Sequence, residues 1–181
     1  MNNEVFRPNK YYWIDTFREG LAAIQLNRKW GYIDTSGREI CPIKYDSIGY
    51  FKGGIAVVSL NKKWGFIDKT GKEVIPLKYD WVGDFEKGLA VVKLNGNFGL
   101  VNFQGEEVIP LIYQNIIAAS VLIIVQVGRK YGVINYSGEY ILPCHYDRID
   151  LGGGMIIARK SNTIYEFNQS GELVKLFCDL S

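Results

Sequence analysis

The feature that most constrains this chain is that it repeats itself. RKWGYIDTSGREICPIKYD (28–46) and KKWGFIDKTGKEVIPLKYD (62–80) pair off position by position. Aligning the Gly that closes each Asx-x-x-Gly brings DTSG (34–37), DKTG (68–71), NFQG (102–105), NYSG (135–138) and NQSG (168–171) into register, at steps of 34, 34, 33 and 33 residues. Two further columns run with it. P-x-x-Y recurs at 42–45, 76–79, 110–113 and 143–146, with a copy at 8–11, and F-x-x-G-x-A begins at Phe17, Phe51 and Phe85. A period in this range marks a repeat architecture, in which each copy buries its apolar face by stacking on the next.

The repeat also divides the chain. Four whole units span 17–50, 51–84, 85–117 and 118–150, flanked by a half unit at 1–16 and another at 151–181. The two halves are complementary. Residues 5–16 are therefore expected to pair beside 151–177, completing a fifth unit and removing exposed strand edges. The alternative is an open, twisted array with capped ends.

Within a unit the local signals are those of strands. GLAVVKL (88–94) is apolar and β-branched, which favours a pleated, buried segment. A two-residue connection follows, Asn27-Arg28, Asn61-Lys62, Asn95-Gly96 or Gly128-Arg129, suited to a tight hairpin. The second strand, WGFID (64–68), ends in Asx-x-x-Gly, where Asp or Asn accepts from nearby backbone N–H groups and Gly takes a left-handed conformation. A third strand, EVI (73–75), is expected to stop at Pro76, which has no N–H for a ladder. The Gly after each aromatic (Gly31, Gly65, Gly99, Gly132) is expected to admit a neighbouring ring or backbone close to the strand. No segment carries a 3.6-residue apolar period over three turns, so the expected class is all-β, of antiparallel hairpin repeats in one domain, a propeller-like closed array being favoured.

KWGYIDTSGREICPIKYD and KWGFIDKTGKEVIPLKYD resemble the WG repeats of the bacterial, β-rich WG/KWG family. The resemblance extends over almost the whole chain. It weakens where W-G becomes F-G (98–99) and Y-G (131–132), and again where the last half unit reads I-Y (164–165). It implies a tandem β-repeat and implies no enzymatic activity.

Composition narrows the chemistry. The formal net charge is +2, too balanced to mark a nucleic-acid binder. The one histidine, His145, excludes most catalytic triads and most His-based metal sites. Cys41, Cys144 and Cys178 have no C-x-x-C spacing, and their odd number points to a reduced compartment. With no basic n-region before an apolar run at the N-terminus, the expected location is cytoplasmic. The longest apolar stretch, 116–127, is too short to span a bilayer.

Asp34, Asp46, Asp68 and Asp80 suggest acid/base pairs, but Asn replaces the first of each pair in later copies, where a general acid or a calcium ligand would not tolerate it. Cys144 and His145 are adjacent in an extended segment and point to opposite faces, so they cannot form a nucleophile–base pair directly. Cys41 occupies a position filled elsewhere by isoleucine and reads as a core residue. GGG (152–154) is expected to begin a strand, with no helix behind it to make a phosphate cradle. No cofactor and no metal are expected. Trp30 and Trp64 recur and read as packing residues, with Trp64→Ala expected to cost roughly 3–5 kcal/mol. Tyr45, Tyr79, Tyr113 and Tyr146 read likewise, with hydroxyls bonded between units.

Function in a repeat scaffold is expected where the units differ. Trp13 and Trp81 occupy one repeat position that is otherwise Ser47, Asn115 or Arg148. A position open to Ser, Asn and Arg is partly exposed, so a tryptophan there is a contact candidate. The first-hairpin turns carry Arg28, Lys29, Lys62, Lys63, Arg129 and Lys130, a second candidate patch whose alternative is a solvated rim. The apolar run Ile116–Val125 is either a better-packed strand or a surface for self-association. The favoured function is a non-catalytic scaffold binding a protein or a glycan, nucleic acid being disfavoured. A hydrolase or transferase hidden in the repeat and a structural spacer are the alternatives.

Overall fold

The computed structural model describes residues 10–178. Pro8 and Asn9 of the N-terminal P-x-x-Y copy, the first residues of the half unit and the side chain of Cys178 lie outside the described residues.

Every regular element described is a strand, and four consecutive strands make each of five antiparallel sheets. The first sheet holds β1 (Trp13–Ile14), β2 (Leu21–Leu26), β3 (Lys29–Asp34) and β4 (Glu39–Tyr45). The second holds β5 (Ser47–Ile48), β6 (Ile55–Leu60), β7 (Lys63–Asp68) and β8 (Glu73–Tyr79). The third holds β9 (Trp81–Glu86), β10 (Leu89–Leu94), β11 (Asn97–Asn102) and β12 (Glu107–Tyr113). The fourth holds β13 (Asn115–Ala118), β14 (Ile123–Val127), β15 (Lys130–Ile134) and β16 (Tyr140–Tyr146). The fifth holds β17 (Arg148–Gly152), β18 (Met155–Lys160), β19 (Thr163–Asn168) and β20 (Leu173–Cys178).

The sheets are offset by one strand from the sequence units. Each begins one strand upstream of the F-x-x-G column, directly after the P-x-x-Y motif. The end of the N-terminal half unit supplies β1, where Trp13 pairs with Gln25 and Ile14 with Ile24. The C-terminal half unit supplies the last three strands of a complete sheet of its own. Among the described residues, 10–16 and 151–177 therefore share no sheet, contrary to the expected pairing. The reason is local pairing: β1 and β17 each pair with the strand that follows in the chain, β2 and β18, so each sheet is completed from consecutive strands.

Two compact units divide the chain. One runs to Leu94 and includes Asn102–Glu106; the other comprises Asn95–Val101 and the chain from Glu107. In the first, Leu21, Ala23, Tyr32 and Tyr45 of the first sheet pack with Ala56, Val58 and Ile67 of the second. Ala22, Ile24 and Ile33, on the opposite face, form a separate cluster with Tyr11, Ile14 and Ile43. The first sheet is thus covered on both faces, which is why β2 reads as a continuous apolar run. In the second unit the equivalent core is Ile124, Val133, Leu142, Ile156, Ala158 and Phe167, with Leu122 and Ile149.

The fourth strand of each of the first four sheets differs from expectation. β8 does not stop at Pro76 but runs through it to Tyr79, with register shifts against β7 between Trp64, Phe66 and Ile67. A proline is tolerated because this strand lies at the edge of its sheet. The same irregularity explains the glycine that follows the aromatic in the first four copies. A Cβ on Gly65 would stand 2.5 Å from the Ile75 carbonyl oxygen, and one on Gly99 2.5 Å from that of Ile109. The close neighbour is thus the backbone of the adjacent strand in the same sheet. Trp30 and Trp64 are half-buried, so the cost of Trp64→Ala falls to the lower end of the buried-aromatic range, about 3 kcal/mol. Among the described residues the fully buried rings of the repeat are Tyr32, Tyr45 and Tyr79.

Candidate functional site

The Asx-x-x-Gly loops are structural. Asp34 Oδ1 accepts from the Ser36 N–H (2.9 Å), the Arg38 N–H (3.0 Å) and the Ser36 hydroxyl (2.5 Å). Asn102, Asn135 and Asn168 accept from the N–H groups two and four residues on in the same way. The Asp/Asn exchange is coupled to the residue four positions later. Asp34 is followed by Arg38, whose Nε lies 3.0 Å from Asp34 Oδ2. Each Asn is followed by a glutamate, and its Nδ2 donates to that carboxylate: Glu106 (2.7 Å), Glu139 (2.7 Å) and Glu172 (2.6 Å). The Ser36 hydroxyl first, then the loop N–H groups and Arg38, hold the Asp34 carboxyl below its ordinary range. This is a turn anchor with no proton to give.

The second aspartate ties one sheet to the next. Asp46 takes the Lys29 ammonium on Oδ1 (2.5 Å) and the Asn61 N–H on Oδ2 (2.6 Å). Asp147 does the same with Lys130 and the Ser161 N–H (2.8 Å). Lys63 is paired with Asp80 at 2.6 Å. In the remaining copy Asn97 and Gln114 stand in for lysine and aspartate, Gln114 Nε2 lying 3.4 Å from Asn97 Oδ1 and Gln114 Oε1 accepting from the Gly128 N–H (2.7 Å).

Of the six basic candidates, then, Lys29, Lys63 and Lys130 are engaged by aspartates of the chain. Arg28, Lys62 and Arg129 are the exposed turn residues. Arg28 and Lys62 sit at φ +63°, beside Asn27 and Asn61 at +52°, as the two-residue hairpin requires.

Trp13 and Trp81 are 42% and 47% exposed. Each lies on the first strand of its sheet. From Trp13 a cross-strand row runs through Gln25 and Trp30 to the buried Tyr45. Trp13 meets Trp30 edge-on, centroids 5.4 Å apart. The Trp81 ring lies over Gly83, where an added Cβ would meet it at 3.1 Å. Both indoles therefore keep a broad exposed face on a fixed base.

The apolar run 116–125 is spent largely inside. Leu122, Ile123, Ile124 and Val125 are buried, leaving Ile117 (51%) and Val121 (54%) as its exposed large side chains. Cys144 and His145 do not make a pair. Burial raises the Cys144 thiol, whose Sγ lies 3.9 Å from the Val125 carbonyl oxygen, while His145 is exposed. Cys41 is buried and its thiol is pushed up to about 11 by desolvation. The tyrosine hydroxyls divide: Tyr113 reaches Tyr140 at 3.1 Å, whereas among the described residues that of Tyr79 has no partner.

One feature escaped the sequence reading. A cavity of about 350 Å³ is lined by Arg18, Tyr50, Lys52, Phe66, Asp84 and Phe85, with the Arg18 guanidinium 3.9 Å from the Tyr50 ring centroid. The signal was available: the position before the repeat phenylalanine reads Thr16, Tyr50, Asp84, as variable as that of Trp13 and Trp81.

Strand-only sheets repeated in tandem, fixed by turn anchors and inter-sheet ion pairs, define a β-repeat scaffold. The WG containing repeat family model matches residues 1–30, 30–64, 64–98 and 131–163, and the chain belongs to that family. The unmatched stretch between Phe98 and Tyr131 is the copy that has lost both the F-x-x-G lead-in and the Tyr-Asp pair. No characterised protein sequence matches the chain. Among solved structures it is similar to a eukaryotic initiation factor (9% identity, TM-score 0.51, covering 91% of this chain and 53% of that one). It is also similar to Hsv2 of Kluyveromyces lactis (12%, 0.44, 88% and 60%) and to BamB from Moraxella catarrhalis (11%, 0.43, 91% and 60%). The chain thus spans between half and two thirds of these neighbours' lengths. The likeness to the initiation factor is one of fold alone. Among the described residues no helix is long and apolar enough to cross a membrane.

Proposed function

We propose that this chain is a non-catalytic binding scaffold whose partner, a protein or a glycan, is held chiefly at Trp13 and Trp81. The observation that carries the reading is the exposure of both indoles, 42% and 47%, at the repeat position the fold leaves open. Tryptophan is enriched where binding energy concentrates, and its truncation there commonly costs ~2 kcal/mol or more. Arg28, Lys62 and Arg129 add charge at the hairpin turns, and this acts mainly on encounter rate and salt dependence. Self-association through 116–125 is left to Ile117 and Val121, too small a surface to lead the reading.

A catalytic reading finds little support. The aspartates are used by turns and ion pairs, and the thiols of Cys41 and Cys144 are held protonated by burial. The test is capture of a partner from the native cell by wild type and by Trp81→Ala, at low and high salt. Loss of capture in Trp81→Ala at every salt supports the reading. Equal capture by both proteins overturns it.

A further inference from the structure

The turn joining the first two strands of each sheet reads Glu19-Gly20, Gly53-Gly54, Lys87-Gly88, Ser120-Val121 and Gly153-Gly154. In the first unit two of these turns meet through a carboxylate. Glu19 Oε1 accepts from the Gly53 N–H at 2.9 Å and Glu19 Oε2 from the Gly54 N–H at 3.1 Å, with Lys69 Nζ 3.0 Å from Oε2. Gly53 and Gly54 have φ of +63° and +85°, so that successive N–H groups converge into an anion-holding concavity. Lys69 first, then these two N–H groups, hold the Glu19 carboxyl below its ordinary range.

The repeat register carries this arrangement into the second unit. Gly53 and Gly54 correspond to Gly153 and Gly154, at φ +59° and +75°, Lys69 to Gln169, and Glu19 to Ser120. GGG (152–154) thus does not begin a strand: Gly152 ends β17 and the next two residues are the turn. The four equivalents line one cavity of about 190 Å³, walled also by Val121, Leu122, Leu151 and Met155. Ser120 ends in a hydroxyl where Glu19 carries a carboxylate on two further carbons. Val121, β-branched, takes no left-handed conformation, although the turn keeps the closing bond of its equivalents, Ala119 N–H to the Leu122 carbonyl at 3.0 Å, as Arg18 N–H bonds to that of Leu21 and Lys52 N–H to that of Ile55. Among the described residues, none presents a carboxylate to the Gly153-Gly154 turn.

We propose that this cavity binds a carboxylate on a short aliphatic stem, the group that Glu19 itself supplies at the equivalent place. Gly153 and Gly154 donate their N–H groups, Gln169 its amide and Ser120 its hydroxyl. The apolar side chains receive the stem. The carboxylate comes either from a small free acid or from a glutamate side chain of a partner. The site shares no residue with the tryptophan reading, and either can fail without the other.

The experiment is an amide-resolved NMR titration of the full chain with N-acetylglutamate α-amide, its glutamine counterpart, butyrate and inorganic phosphate. The expected result is saturable shifts at the Gly153 and Gly154 N–H with the glutamate probe, about 10-fold weaker with the glutamine probe. Butyrate binding as well as the glutamate probe points to a free acid, and weaker binding to a glutamyl peptide. Replacing Ser120-Val121 by the Glu-Gly of the first sheet (S120E/V121G) should abolish the shifts. Q169K, which restores the lysine of the first site, should tighten binding several-fold. Equal response to the two amides, response to phosphate alone, a folded S120E/V121G protein that still takes the probe, or no gain in Q169K would overturn the proposal.

Discussion

At the scale of single residues, two columns of the repeat are explained by one neighbour each. Gly65 is glycine because the Ile75 carbonyl would lie 2.5 Å from a Cβ, with the Pro76 carbonyl at 2.8 Å. Neither is the far end of a flexible chain. Gly65→Ala should therefore cost about 1–3 kcal/mol, the usual result of overpacking, as read by urea unfolding. The Asx column is explained by charge pairing with the residue four positions on. Asn135→Asp sets a carboxylate against Glu139 and should destabilise by about 0.5 kcal/mol, and N135D/E139K should recover the loss. A thermal-unfolding cycle of the two single variants and the double variant reads this directly. The coupling was legible in the sequence, as D-x-x-x-R/K against N-x-x-x-E. The glycine's neighbour was not. It depends on a bulge in the partner strand, and register shifts leave no mark in the spacing.

At the scale of strands and sheets, the sequence disclosed the strands and the turns but not where one sheet ends. The F-x-x-G and W-G columns are the loudest, so a unit drawn from them starts at the second strand. The first strand is carried by short, variable segments such as Trp13–Ile14 and Ser47–Ile48, which have no pattern to detect. Beside the apolar core, a polar tie joins successive sheets, and it is conditional on pH. Lys130 first, then the Ser161 N–H, hold the Asp147 carboxyl below the ordinary aspartate range. A carboxyl depressed by folding contributes stability in full above its unfolded pKa. The contribution fades as pH falls through the lower, folded value. Wild type should therefore melt above Asp147→Ala at neutral pH, and the gap should close as pH is taken below the ordinary aspartate range. A gap independent of pH would show that Asp147 acts through packing instead.

For the molecule as a whole, the separation of invariant from variable positions carries the functional reading. Positions shared by the first four sheets answer to the fold: the edge proline, the tyrosine three residues on, the glycine against the neighbouring strand. Trp13 and Trp81 answer to none of these and were visible in the sequence as departures from the repeat. At the Arg18–Tyr50 cavity the variable position of Tyr50 was visible too, but neither that cavity nor the one at the Gly153-Gly154 turn was, because each needs residues from different strands or sheets to meet. The family places the chain among tandem β-repeats, and it is the unequal positions that distinguish one member's surface from another's. The measurement that tests this most directly is the unfolding free energy of Trp81→Ala beside that of Trp64→Ala, by urea denaturation of both. The account predicts a loss below about 1 kcal/mol for Trp81→Ala, the behaviour of a surface residue, and about 3 kcal/mol for Trp64→Ala. If Trp81→Ala is as costly as Trp64→Ala, the exposed tryptophan belongs to the fold after all, and the binding role assigned to it is contradicted.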